Sequence, residues 1–242
     1  MYDMNSQSRP HHPLPRPWAG RVLGLTLGLS MLCSGCSALM NAVVPAVTGI
    51  DALMRRVHAQ PLNPVLGRAV VEHEDRRFYQ HGGLDLPGLL RAGWSSVSGG
   101  PLEGGSTLTQ QLVKNTLLAD QHGARTLKRK VQEAWLAQQV ERRYSKADIL
   151  KAYLATAYWG AADGQQLTGS REAALGYFHL PQSRLDLSQS AYLAVLLPSP
   201  ARANETAFLR PLIHILLNQM VADGRASRSD AARAWQETLR RR

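Results

Sequence analysis

Glu72-His73-Glu74-Asp75-Arg76-Arg77, followed by Phe78, His81, Gly82, Gly83 and Asp85, sets four acidic side chains and two arginines beside the apolar pair Val70-Val71. A carboxylate held against apolar surface has a raised pKa, and a carboxyl group titrating near neutrality is what a general base or acid requires. The plainer reading of the same run is a solvated helix end with ordinary ion pairs. Neither His73 nor His81 has a metal partner at a helical spacing, so no metal site is indicated here.

A second stretch runs Gly104-Gly105-Ser106-Thr107-Leu108-Thr109-Gln110-Gln111-Leu112-Val113-Lys114-Asn115. Thr107 with Gln110 three residues later forms a capping box, and the glycines before it free the backbone for a tight turn into a helix. The start of such a helix can hold phosphate, and Lys114 adds a cation further along. A simple loop-to-helix junction explains the same residues, and the Gly-Lys-Ser/Thr of a Walker A loop is missing. In a third stretch, Arg125 to Glu133, Arg129 and Lys130 stand four and three residues before Glu133. On a helix both cations therefore flank one carboxylate. These are either two surface pairs, each contributing about 0.2–0.5 kcal/mol, or a cradle for a diphosphate.

Helices must carry these groups. Ser145 precedes a helical stripe of Ile149, Leu150, Tyr153, Leu154 and Ala157, with Asp148 in its first turn. Further helices are expected at Leu187–Leu197, stopped by Pro198, at Leu209–Ala222 with Pro211 in the first turn, and from Ser229 or Asp230 into Arg240. Alternating β patterns are nearly absent, so the expected fold class is mainly α. The Gly/Ser-rich stretch around Gly93 to Gly105 and the polar stretch Gly160 to Gly169 are expected as loops.

Among the 242 residues, 44% are apolar and the net charge is +10, which excludes a disordered chain and predicts an anionic partner. Residues 125–151 hold eight of the Lys/Arg residues against three acids, half of the whole excess. Val22 to Ile50 is free of charge and follows a Pro/His-rich leader bearing Arg9, Arg16 and Arg21. That segment is either a membrane-spanning helix of about 20 residues or a lipoprotein signal ending at Cys36. Both cysteines, Cys33 and Cys36, fall inside it. The expected order is a basic leader at 1–21, the anchor at 22–44, a connector at 45–64, a domain at 65–205 that carries the three stretches above, and C-terminal helices at 206–242 packed on it.

The order Glu74-Asp75-x-x-Phe78-x-x-His81-x-Gly83-x-Asp85, Gly105-Ser106-Thr107-x-Thr109-Gln110-Gln111, Arg129-Lys130-x-x-Glu133 and Ile149-Leu150-x-x-Tyr153-Leu154 resembles the peptidoglycan glycosyltransferase family, over roughly Val65 to Arg202. Tyr158-Trp159-Gly160 is similar to its monofunctional branch. The resemblance implies a lysozyme-like glycosyltransferase domain with an N-terminal membrane anchor, on the periplasmic face of the cytoplasmic membrane. It would polymerise lipid II into glycan, its partners being lipid II, the growing lipid-linked glycan, the membrane and other cell-wall synthases; nucleic acid is not expected. It implies Glu74 as general base and Glu133 as second carboxylate. Lys114, Arg129, Lys130, Ser106, Thr107, Gln110, Gln111, Asp75 and His81 would bind sugar or diphosphate. No cofactor is certain; a divalent cation such as Mg2+ or Mn2+ beside the phosphates is compatible. The stretch Leu84 to Glu103 would form a membrane-facing jaw. Two positions depart from the family pattern: Ala155 replaces an Asn, and the usual Tyr-Phe-Gly-Lys reads Tyr177-Phe178-His179-Leu180. Those departures motivate a rival, a paralogue that binds lipid II or synthases without turnover. A lysozyme-like hydrolase is a third possibility, on fold kinship alone.

Overall fold

A computed structural model describes residues 49–97, 105–119 and 126–240, with side chains omitted at 92–97. The segment expected as an anchor, 22–44, lies outside the described residues. Among those described, no helix is long and apolar enough to cross a membrane.

The architecture is mainly helical. Helix α1 (Asp51–His58) has Asp51 in its first turn and Arg55, Arg56 and His58 in its last, the charge order that suits a helix dipole. It buries Met54 and Val57 and packs on α6 (Lys146–Thr156). A connector was expected here; a short buried stripe makes it a packed helix. Helix α2 (Pro64–Glu74) starts at Asn63, whose Oδ1 accepts from the backbone N–H of Val65 at 2.8 Å and Leu66 at 3.2 Å, with Pro64 at the first helical position. The amide of Asn63 also donates to the carbonyls of Gln182 and Leu185. Asn63→Ala would lose cap and tether together, and the cap alone stabilises by about 1 kcal/mol. After a 3-10 turn at Phe78–Gln80 come α3 (Leu86–Val97), α4 (Leu108–Thr116) and α5 (Leu127–Arg143).

Between α6 and α7 (Ser170–Phe178) the chain makes a hairpin of β1 (Tyr158–Ala162) and β2 (Gln165–Thr168), with Tyr158 opposite Thr168 and Ala162 opposite Gln165. A loop was expected over this stretch. Its turn residues Asp163 and Gly164 both have positive φ, the backbone that a two-residue hairpin of matching twist needs. A register irregularity falls between Tyr158 and Ala161, around Gly160. Trp159 is fully buried, and its carbonyl accepts from the Tyr177 hydroxyl.

Helix α8 (Leu187–Leu196) is buried at every residue from Ser188 to Leu196 except Tyr192 and contacts α2, α9 (Thr206–Ala222) and α10 (Arg228–Arg240). A helix buried on nearly every side is a core helix, and its polar residues Ser188 and Gln189 are hydrogen-bonded to Thr238 and Asp186. Helix α9 begins three residues before its expected start, so Pro211 falls inside it, and buries Leu209, Ile213, Leu216, Leu217 and Met220. The core thus fixes α2 from one side, and α2 ends on the acidic run.

Candidate active site

Glu74 is the last residue of α2. Its carboxylate is 10% exposed, and Oε2 accepts from Gln111 Nε2 at 2.7 Å. The Tyr153 hydroxyl on α6 donates to Gln111 Oε1 at 2.9 Å. A carboxamide has one donor end and one acceptor end, so the tyrosine fixes which end faces Glu74. Burial pushes the Glu74 carboxyl up from its ordinary value of 4.5; the Gln111 hydrogen bond and the positive charge of Lys114 pull it back, and Asp75 pushes it further up. His73 approaches Glu74 at 3.9 Å, but burial lowers its pKa to about 4, so near neutrality it is uncharged and supplies no ion pair.

Asp75 and His81 were expected among the ligand-binding residues; the structure turns them on each other. His81 Nε2 lies 2.9 Å from Asp75 Oδ1, and Asp75 Oδ2 accepts from the Leu108 backbone N–H at 3.0 Å. A carboxylate there satisfies an orphan donor at the start of α4 and sits at the positive end of its dipole. These buried residues therefore join the end of α2 to the beginning of α4.

Thr107 and Gln110 take up a local role as well. The capping box is complete: Gln110 N–H donates to Thr107 Oγ1 at 3.2 Å, and Thr107 N–H donates to Gln110 Oε1 at 3.0 Å. The Thr107 hydroxyl donates to the Gly83 carbonyl at 2.8 Å. Both residues are buried, so they shape the helix start rather than face an open surface. Gly83 has φ +92°, and a Cβ on it would sit 2.9 Å from the Ala137 carbonyl carbon of α5. Only glycine suits both constraints.

The second cluster stands on α5. Glu133 is 8% exposed, with Arg129 Nε 3.3 Å from Oε1 and Lys130 Nζ 3.1 Å from Oε2. Lys130 also donates to Ser106 Oγ at 2.8 Å, tying α5 to the approach of α4. Thr126 caps α5 by accepting from Arg129 N–H. Below these groups, Glu141 accepts from Thr109 at 2.6 Å and from Lys146 at 2.7 Å, and Lys146 Nζ lies 4.2 Å from the centre of the Phe78 ring.

The structure thus brings Gln111 directly onto Glu74, with the charge of Lys114 acting on it, and brings Ser106, Arg129 and Lys130 around Glu133. Tyr153, read from sequence as part of an apolar stripe and of the fourth motif but not as a site residue, is a further polar member. The signal for it lay in a tyrosine on a helix face otherwise filled by Ile149, Leu150 and Leu154. Such an arrangement can take a proton at one carboxylate and hold negative charge at the other cluster.

Comparisons with known proteins bear on the same region. The family model described as Transglycosylase matches residues 47–221. The chain is 41% identical over 155 residues to the biosynthetic peptidoglycan transglycosylase of Azoarcus sp., covering 63% of this chain and 64% of that one. It is 42% identical over 140 residues to the protein of the same description from Alcanivorax borkumensis, covering 57% of this chain and 54% of that one. It is also 35% identical over 173 residues to penicillin-binding protein 1A of Mycobacterium tuberculosis, covering 71% of this chain and 20% of that one. The chain therefore spans less than two thirds of the length of each of these relatives. With all four motifs and both carboxylate clusters inside residues 47–221, this chain belongs to the transglycosylase family.

Proposed function

We propose that the protein is a peptidoglycan glycosyltransferase that polymerises lipid II into glycan strands, inverting C1 of MurNAc and releasing undecaprenyl pyrophosphate. The observation that carries this reading is the setting of Glu74, a nearly buried carboxylate with a raised pKa, aimed by a neutral amide. Glu74 takes the proton of the acceptor GlcNAc 4-hydroxyl, and that oxygen attacks C1 of the donor MurNAc. The bond from C1 to the phosphate oxygen breaks as the new one forms, so a single displacement turns the α-linkage into β. A sugar hydroxyl needs such a base, and a diphosphate leaves more readily as cations take up its growing charge. Arg129, Lys130 and Lys114 supply that charge, and Glu133 holds the first two in place.

A divalent cation fits this donor set poorly. Glu133 is one carboxylate already set between a guanidinium and an ammonium, and the described residues contain no group of three or more His, Cys, Asp or Glu that could hold a metal.

The chemistry takes place at the outer face of the cytoplasmic membrane, with residues 22–44 as anchor, by a spanning helix or by lipid on Cys36. Support comes from the uncharged run Val22–Ile50 and from large apolar side chains left exposed: Leu86 and Leu90 on α3, and Leu127 and Val131 on α5, the helix that carries Glu133. Other synthases are partners in this reading. The departures Ala155 and His179 touch neither carboxylate through any hydrogen bond or ion pair described above, so nothing specific favours a non-catalytic paralogue. Full-length protein in detergent should convert labelled lipid II into long glycan, and Glu74→Gln should stop it. A wild-type chain that makes no polymer, with or without divalent metal, overturns the proposal.

A further inference from the structure

Glu72, two residues before Glu74, is 3% exposed. Its Oε1 lies 3.1 Å from Arg76 Nε and its Oε2 3.1 Å from Arg225 Nε. Arg76 in turn donates from Nε to Asp223 Oδ2 at 2.6 Å, and its Nη2 is paired with Oδ1 of the same carboxylate. Arg225 Nη2 donates to the Arg76 carbonyl at 2.8 Å. Two carboxylates and two guanidiniums are thus knotted at the end of α2. Asp223 and Arg225 belong to the turn joining α9 and α10, just past the segment matched by the family model. The Arg225 backbone is fixed too, its N–H donating to the Met220 carbonyl at 2.7 Å.

Side chains two positions apart on a helix point about 200° apart. Glu72 therefore holds the back of the last turn of α2 while Gln111 and the Asp75 contact hold its front. Helix ends fray because their last carbonyls lack partners, and Glu74 is that end. A buried ion pair is a poor source of net stability and is better attested as a device that fixes one geometry. Burial pushes the Glu72 carboxyl up, Arg225 and Arg76 pull it down and Asp223 pushes it up, so removing Arg225 leaves a buried acid held by Arg76 alone.

We propose that Arg225, with Asp223, is a positioning residue that clamps the last turn of α2 through Glu72 and Arg76 and so sets where Glu74 meets the acceptor. The proposal rests on the reading of Glu74 as general base. Its test compares full-length Arg225→Ala, Arg225→Lys and, as control, Arg233→Ala, which breaks only the exposed pair with Asp230. Steady-state lipid II polymerisation is measured together with hydrogen exchange at the amides of Asp75 and Leu108, well below each variant's melting temperature. In Arg225→Ala, kcat falls about tenfold or more and KM for lipid II changes less than about twofold, while exchange at both amides rises about tenfold and that of α6 is unchanged. Arg225→Lys recovers a large part of both readouts, and Arg233→Ala moves neither. Unchanged exchange at Asp75 and Leu108 overturns the clamp, and raised exchange with unchanged kcat overturns its positioning role. Should Arg225→Ala not fold, Glu72→Gln, which keeps the shape and loses the charge, is read in the same way. A wild-type chain that makes no glycan sinks the functional reading instead; the exchange comparison then decides the clamp alone, a rise supporting it and no change overturning it.

Discussion

Glu74 and Glu133 are both nearly buried glutamates on helices of one domain, yet their neighbours differ in kind. Glu74 is met by a carboxamide at 2.7 Å, with Lys114 acting through its field, and burial raises its proton affinity. Glu133 is met by a guanidinium and an ammonium, at 3.3 and 3.1 Å. In the proposed reaction the first glutamate takes a proton, while the second lies between two cations. Neighbours, not residue type, divide the labour.

The largest way to break the comparison is to neutralise each glutamate in turn. Glu74→Gln should lower polymerisation by about 10²–10⁴-fold, yet it should raise the melting temperature at neutral pH. The sign follows from linkage: with its folded pKa above the unfolded value, Glu74 binds more protons in the native state, so its ionisation weakens the fold as pH rises through that window. Glu133→Gln should move the melting temperature the other way, since it strips a buried arginine of its carboxylate. Calorimetry of both variants near pH 7.5 checks the opposite signs, and shifts of the same sign would collapse the distinction.

Next in size, Arg129→Ala should cost about 3 kcal/mol of stability and about 10²-fold in polymerisation. Lys130→Ala, at a side chain 45% exposed, should cost less than about 1 kcal/mol in stability. Denaturant titration beside the lipid II assay separates the two cations. Tyr153→Phe should cost about 1 kcal/mol and slow polymerisation several-fold, because the Gln111 amide is then free to turn its oxygen toward Glu74 and the carboxyl loses a hydrogen bond that lowers its pKa; speed restored at higher pH is the expected result, and a loss equal at every pH would argue against that cause. The smallest effect is expected at His179, which closes α7 with φ 55°. His179→Gly should stabilise by about 1 kcal/mol and leave polymerisation unchanged.

Much of this site could be read from local spacing. The Thr107/Gln110 box, the Arg129 and Lys130 placement around Glu133, and the cap of α6, where Ser145 Oγ accepts from the Asp148 N–H at 3.1 Å, are contacts three or four residues apart, and helix geometry alone dictates them. What escaped reading is tertiary or weakly patterned. Gln111 meets Glu74 across 37 residues and Tyr153 meets Gln111 across 42, and no periodicity announces such pairs. The hairpin was hidden because Gly160-Ala161-Ala162 lacks the alternation of a strand, although Asp163-Gly164 marks its turn. Helix α1 was hidden by the prolines after it and by a buried stripe of only Met54 and Val57. Asp75, His81, Thr107 and Gln110 share their motifs with Glu74 and Gln111, yet they hydrogen-bond one another or the start of α4, and motif membership alone does not announce such contacts.

The central claim is that Glu74 takes the acceptor proton with a pKa raised by burial and restrained by Lys114. The pH dependence of kcat for lipid II polymerisation, in wild type and Lys114→Met, tests it most directly. An acid limb above the ordinary glutamate value of 4.5, moved to higher pH when the lysine's charge is removed, is the expected result. An acid limb that stays in place in Lys114→Met, or a Glu74→Gln chain that still polymerises within about tenfold of wild type, would contradict it.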